Sequence, residues 1–163
     1  MTRQQPAATV SATAITALQT ALAAEQAACY GYGVVGAYLS GPDASRAHVD
    51  WVAHQVARDS LTATISGAGA DPAPAAVAYK LPIPVRSAAA ARSLAVILED
   101  RVAQAYMSLV GVTDLEVRAL GAVKLKETAL RAAAWSHTTV AFPGLTSSSL
   151  DGAGSKPAIS EPG

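Results

Sequence analysis

Between Thr13 and Tyr38 the larger apolar side chains fall at Ile15, Leu18, Leu22, Cys29 and Tyr32, at steps of three, four and seven that draw one stripe along a helix. The spacing predicts a first helix over 13–39. Gly41-Pro42-Asp43 then interrupts the chain, with Asp43 or Ser45 placed to accept the orphan amide hydrogens of a second helix over 44–66. Gly67, Gly69 and Asp71-Pro72 supply its stop. Pro72, Pro74, Pro82 and Pro84 forbid a helix as far as Val85, so that stretch reads as extended. Ser87 caps a third helix over 88–111, and Thr113-Asp114-Leu115-Glu116 fits the S/T-x-x-E capping box that opens a fourth over 114–137.

Helices of about 25 residues are roughly 37 Å long, and an extended chain covers about 3.3 Å per residue. The segment from Gly67 to Arg86 can therefore climb the full height of its neighbours. The tight connections between helices 1 and 2 and between 3 and 4 make those pairs antiparallel, while the long middle one lets helix 3 start at the same end as helix 2. The expected fold is all-α: a ferritin-like four-helix bundle with one long crossover connection between helices 2 and 3. It occupies residues 13–145, behind a flexible N-terminus at 1–12. The stretch 146–163 is mostly Ser, Gly, Pro and Ala, has little to bury and is expected to be a disordered tail. No repeat with a short fixed period is visible.

Composition sharpens this picture. The 163 residues have room for one domain with a real core. They are 51% hydrophobic but 5% aromatic, and 38 are alanine, so the apolar excess is mostly the strongest helix former. Twelve basic residues balance twelve acidic ones. A net charge of zero leaves no electrostatic footprint for nucleic acid or an anionic membrane. The uncharged run Ala27–Leu39 is shorter than the roughly 20 residues a membrane span needs, and the first residues lack the layout of a secretory signal. A cytoplasmic protein is expected. Cys29, the one cysteine, excludes an internal disulfide and any zinc site built on thiolate pairs.

Gly31-Tyr32-Gly33-Val34-Val35-Gly36 matches the dinucleotide fingerprint G-x-G-x-x-G, but a helical stripe precedes it where a strand is required. The glycines read instead as places where helices approach closely. More telling are four carboxylates on apolar stripes near mid-helix. Glu25 lies between Leu22 and Cys29, and Asp59 shares a face with Val52, Val56 and Ala63. Glu99 sits with Val96, Val102 and Tyr106, and Glu127 between Val123 and Leu130. A ring of hard oxygen donors at mid-bundle is how di-iron and di-manganese proteins hold their ions. Glu25, Asp59, Glu99 and Glu127 are therefore the candidate metal residues.

The histidines of that template are missing. Glu-x-x-His would place His three residues on, where this chain has Thr62 after Asp59 and Leu130 after Glu127. His54 lies five residues before Asp59, about 500° of helical turn away and off that ligand direction. Without metal, buried carboxylates need cations, and Arg58, Arg101 and Arg131 are near enough in sequence to serve. The reading is a degenerate site with no cofactor expected, di-iron or di-manganese being the alternative. Cys29 reads as a small core residue. His48, His54 and His137 are scattered, and Trp51 and Trp135 read as packing groups. The apolar run Tyr79-Lys80-Leu81-Pro82-Ile83-Pro84-Val85 is expected to lie across the helices.

Three stretches carry a resemblance. They are Ala23-Ala24-Glu25-Gln26-Ala27-Ala28 with the Tyr30–Gly36 run, Ala78–Val85, and the closing Phe142-Pro143-Gly144-Leu145. Together, over about residues 13–145, the chain resembles an uncharacterised ferritin-like family of actinobacteria, a domain of unknown function. That resemblance implies a ferritin-like bundle and no established activity. It also implies that His is common in the family where Gln26 stands here.

Two functional readings follow. One is a non-catalytic bundle that binds a protein or small-molecule partner; the other is a carboxylate-bridged di-metal protein with oxidoreductase or metal-handling activity. A homodimer is expected, because Tyr30, Val34 and Tyr38 form a second apolar stripe on helix 1. The competing explanation is that the Tyr79–Val85 segment covers this stripe within one chain.

Overall fold

A computed structural model describes residues 10–137. Four helices follow one another: α1 Ala12–Ala37, α2 Gly41–Gly67, α3 Ala88–Val110 and α4 Leu115–Ser136. No strand occurs among the described residues, so the fold is an all-α four-helix bundle. None of these helices is long and apolar enough to cross a membrane. The tail expected at 146–163 and the Phe142–Leu145 motif lie outside the described residues, as does 1–9 of the expected flexible N-terminus.

The helix ends show which local signals operated. Ser11 caps α1 by accepting from the Ala14 amide, and Ser87 caps α3 by accepting from Ala90. Two expected caps are not used. α2 begins at Gly41, ahead of Asp43 and Ser45, because Pro42 is tolerated in a first turn whose amides are unpaired in any case. Asp43 instead pairs with Arg92 at 2.7 Å, tying the starts of α2 and α3 together. α4 is capped by Asp114 rather than Thr113 and has no side-chain cap bond. The Asp114 carboxylate is turned across the bundle end to Ser11, accepting from its hydroxyl at 2.6 Å and its amide at 3.2 Å. These bonds hold its carboxyl below the usual range.

These ties fix the topology. The start of α1 lies beside the start of α4, and the start of α2 beside the start of α3, so α1 and α4 run one way and α2 and α3 the other. The crossover climbs from the end of α2 to the head of α3 along α1, gripped by two glutamines seven residues apart. Gln19 donates to the Asp71 carbonyl and accepts from the Ala73 amide, and Gln26 donates to the Ala73 carbonyl. Tyr79 packs its ring 5.6 Å from that of Tyr30. Leu81, Ile83 and Val85 then enter the upper core. The crossover thus covers part of the stripe expected to form a dimer face: Val34 packs into the same core, while Tyr38 stays exposed.

Two glycines permit close helix contact. A Cβ on Gly31 would lie 2.5 Å from Leu98 Cδ1, and one on Gly121 would lie 2.6 Å from Leu109 Cβ. At Gly33 and Gly36 it would meet nothing. The G-x-G-x-x-G match therefore lies inside α1, and one of its three glycines is a packing contact.

The apolar interior is in two parts. The lower holds Leu18, Leu22, Leu61, Ile65, Tyr106 and Leu109; the upper holds Tyr32, Val35, Ala47, Leu94, Leu98 and Trp135. Between them lies a layer of charge.

Candidate functional site

Glu25 from α1, His54 from α2 and Glu99 from α3 are completely buried and meet at mid-height. The His54 ring stands between the carboxylates, with Nδ1 2.6 Å from Glu25 Oε2 and Nε2 3.0 Å from Glu99 Oε1. A carboxylate oxygen only accepts, so a ring facing one through each nitrogen donates from both and is an imidazolium. Burial opposes that charge, but the hydrogen bonds and negative charges of Glu25 and Glu99 outweigh it and raise the His54 pKa to about 9.

Two tyrosines close the chain of bonds crosswise. Tyr32 on α1 donates to Glu99 at 2.6 Å, and Tyr106 on α3 donates to Glu25 at 2.6 Å. Burial pushes both phenols far up, with the neighbouring carboxylate adding to the effect, so both remain protonated donors. From α4, Arg131 Nε donates to both Glu99 oxygens at 3.1 Å, and its Nη2 donates to the Thr128 hydroxyl at 3.2 Å. Burial works against the guanidinium, but Glu99 raises its pKa further. Two carboxylates, one imidazolium and one guanidinium leave the layer neutral. No buried side-chain nitrogen or oxygen among the described residues lacks a partner.

A second buried pair stands one turn above: Trp135 Nε1 donates to Asp50 Oδ2 at 2.8 Å, and burial raises the Asp50 carboxyl. Trp51 donates to the Cys29 carbonyl at 3.1 Å. Burial lifts the Cys29 thiol to about 11, which leaves it a poor nucleophile.

Of the four carboxylates the sequence nominates, the structure brings two together. Asp59 is 67% exposed and pairs with its neighbour Arg58; Glu127 is 43% exposed and pairs with Lys124 at 2.8 Å. The stripes used to turn them inward are themselves outside, since Val52, Val56, Val123 and Leu130 are all exposed. α2 buries Ala47, Asp50, His54, Ala57 and Leu61, so the 500° that separates His54 from Asp59 sets His54 facing in and Asp59 facing out. His54 is thus the central residue the sequence reading missed. Its signal was Ala47, His54 and Leu61 at steps of seven. Of the arginines named as possible cations, Arg131 is the one bound into the layer.

The geometry also tests the di-metal template. Such a centre needs four carboxylates and two histidines with free lone pairs converging on two ions. Here two carboxylates converge, one histidine turns a nitrogen to each, and Arg131 fills the side toward α4. No group of three or more His, Cys, Asp or Glu among the described residues is arranged to hold a metal ion. The residues do not fit a di-iron or di-manganese centre.

The two halves of the chain repeat this pattern at an offset of 74 residues. Glu25 and Tyr32 correspond to Glu99 and Tyr106, and His54 corresponds to Thr128. In the second half a hydroxyl and Arg131 stand where the first half has an imidazole.

Residues 17–147 match the model of a family described as Domain of unknown function (DUF4439). The structure is similar to a crystal structure of a conserved hypothetical protein, rv2844, from Mycobacterium tuberculosis, with 32% sequence identity and a TM-score of 0.74. The similarity covers 78% of this chain and 98% of that one. No curated protein matches the chain.

Proposed function

The chain belongs to the DUF4439 family, and on that premise we propose that it is a non-catalytic module of ferritin-like architecture whose former metal position is filled by a structural ion-pair layer. The up-down-down-up order with one long crossover supports the ferritin-like reading, and the mycobacterial neighbour supports an actinobacterial origin. The observation that carries the proposal is His54, which bridges Glu25 and Glu99 and consumes on protons the lone pairs a metal would need. The module acts in the cytoplasm through its surface, as a homodimer.

The test is elemental analysis of the purified protein. No stoichiometric iron or manganese is expected, and a chelator should leave the unfolding temperature unchanged. Two equivalents of metal per chain, lost in Glu25→Ala and Glu99→Ala, would overturn the reading in favour of a carboxylate-bridged di-metal protein handling iron, oxygen or peroxide.

A further inference from the structure

Six of the large apolar side chains left exposed lie on two helices, α2 and α4, opposite their buried faces. On α2 they are Val49, Val52 and Val56, the first and last 65% and 61% exposed; on α4 they are Leu115 at its start, Val123 and Leu130, at 74%, 55% and 62%. Val49 and Val56 are seven residues apart, as are Val123 and Leu130, so each pair lies along one line of its helix. Scattered exposed valines need no explanation, but two continuous lines on neighbouring helices make a face.

The levels of these two helices are fixed by the Asp50–Trp135 bond. Counting away from it in opposite directions sets Asp59 level with Lys126, nine residues from the tie on each helix, and brings Val56, six residues from it, within one residue's rise of Leu130, five residues from it. Ala63, thirteen residues from the tie, likewise comes within one residue's rise of Val123, twelve residues from it. Lys126 is exposed and makes no ion pair among the described residues, and Asp59 holds only its neighbour Arg58. Apolar residues therefore match apolar ones, and an acid matches a base, whenever α2 meets α4 at equal height.

We propose that this α2–α4 face is the homodimer interface. A second copy seats on it about a two-fold axis parallel to the helices, so that α2 of each copy lies on α4 of the other. That symmetry keeps heights equal and doubles every match: Val56 against Leu130 of the second copy, Ala63 against Val123, and Asp59 beside Lys126. The proposal gives the dimer expected by the functional reading a surface other than the helix 1 stripe, part of which Tyr79 already covers.

Light scattering at micromolar concentration should give twice 16.4 kDa for the full chain. Val56→Glu and Leu130→Glu should each give a monomer with unchanged helicity, since both side chains lie outside the core. Asp59→Lys should weaken the dimer a few-fold, and adding Lys126→Asp should restore it. In a Cys29→Ala background, Val56→Cys and Leu130→Cys together should oxidise to a covalent dimer, with neither single cysteine doing so. A full-length chain of 16.4 kDa overturns the proposal, including the case in which removal of residues 138–163 uncovers a dimer, because the chain's own end then occupies the face. A dimer that survives both glutamate substitutions, or a Val56→Cys chain that links to itself, overturns it too. Metal found in the same sample would defeat the structural-layer reading and leave these masses unaffected.

Discussion

Glu25 and Glu99 are equivalent residues of the two halves of the bundle, each seven positions ahead of a tyrosine that donates to the other's carboxylate. Every helix contributes to the result: α1 and α3 supply the acids and phenols, and α2 and α4 supply one cation each.

Removing one acid should be costly, and removing its cation as well should repair the damage. Glu25→Leu leaves the His54 imidazolium facing a hydrocarbon and loses the acceptor of Tyr106, so a destabilisation of about 3–5 kcal/mol is expected. Glu25→Leu with His54→Leu leaves Glu99 and Arg131 as a balanced pair and should recover most of it. Urea unfolding of the three proteins measures both steps. Equal losses in the single and double variants would show that charge balance is not what holds the layer.

The bridge should also be sensitive to base. His54 has its folded pKa raised to about 9 from an ordinary value of 6.5, so protonation favours the folded state. Its contribution is present in full below about pH 6.5, declines above that, and is gone once the pH passes about 9. Urea midpoints between pH 6 and 10 should fall accordingly, and His54→Gln should flatten that fall.

The glycines of α1 and α4 should separate by position. Gly121→Ala would press on Leu109 Cβ and on the α3 backbone at 3.1 Å, neither of which can move aside as a flexible side-chain end can. A loss of about 1–3 kcal/mol is expected. Gly33→Ala meets nothing and should gain up to about 1 kcal/mol from helix propensity. Thermal unfolding of the two variants checks the opposite signs.

Gln19 is the clasp of the crossover, since it pairs with both a carbonyl and an amide of residues 71–73. Gln19→Ala should speed amide exchange at Ala73 while leaving exchange in the helices unchanged. Unaltered exchange at Ala73 would mean that the downstream anchor of Leu81, Ile83 and Val85 holds the whole segment.

The sequence was most legible where a rule is local. The stripes, Ser87, the proline run and the double glycine located four helices and the crossover to within about three residues. The facing of α2 and α4 was not legible, because each carries apolar residues on both sides and periodicity alone cannot say which side is inward. Val52 and Val56 outvoted Ala47 and Ala57 by size, and Asp59 and Glu127 were turned inward with their stripes. The same error turned His54 away. α1 and α3 have bulkier apolar residues on their buried sides than elsewhere, which is why Glu25 and Glu99 were placed correctly.

The division of the core by a charged layer bears on how so alanine-rich a chain selects one structure. Small side chains mesh almost equally well when one helix slides past another by a turn, about 5.4 Å. At mid-height that freedom ends: a one-turn slide of α1 would carry Glu25 away from His54 and Tyr106 and into the leucines of one half or the other. Each misaligned packing would bury at least one unmatched charge, so the layer acts as a vernier that admits a single alignment of four otherwise interchangeable rods.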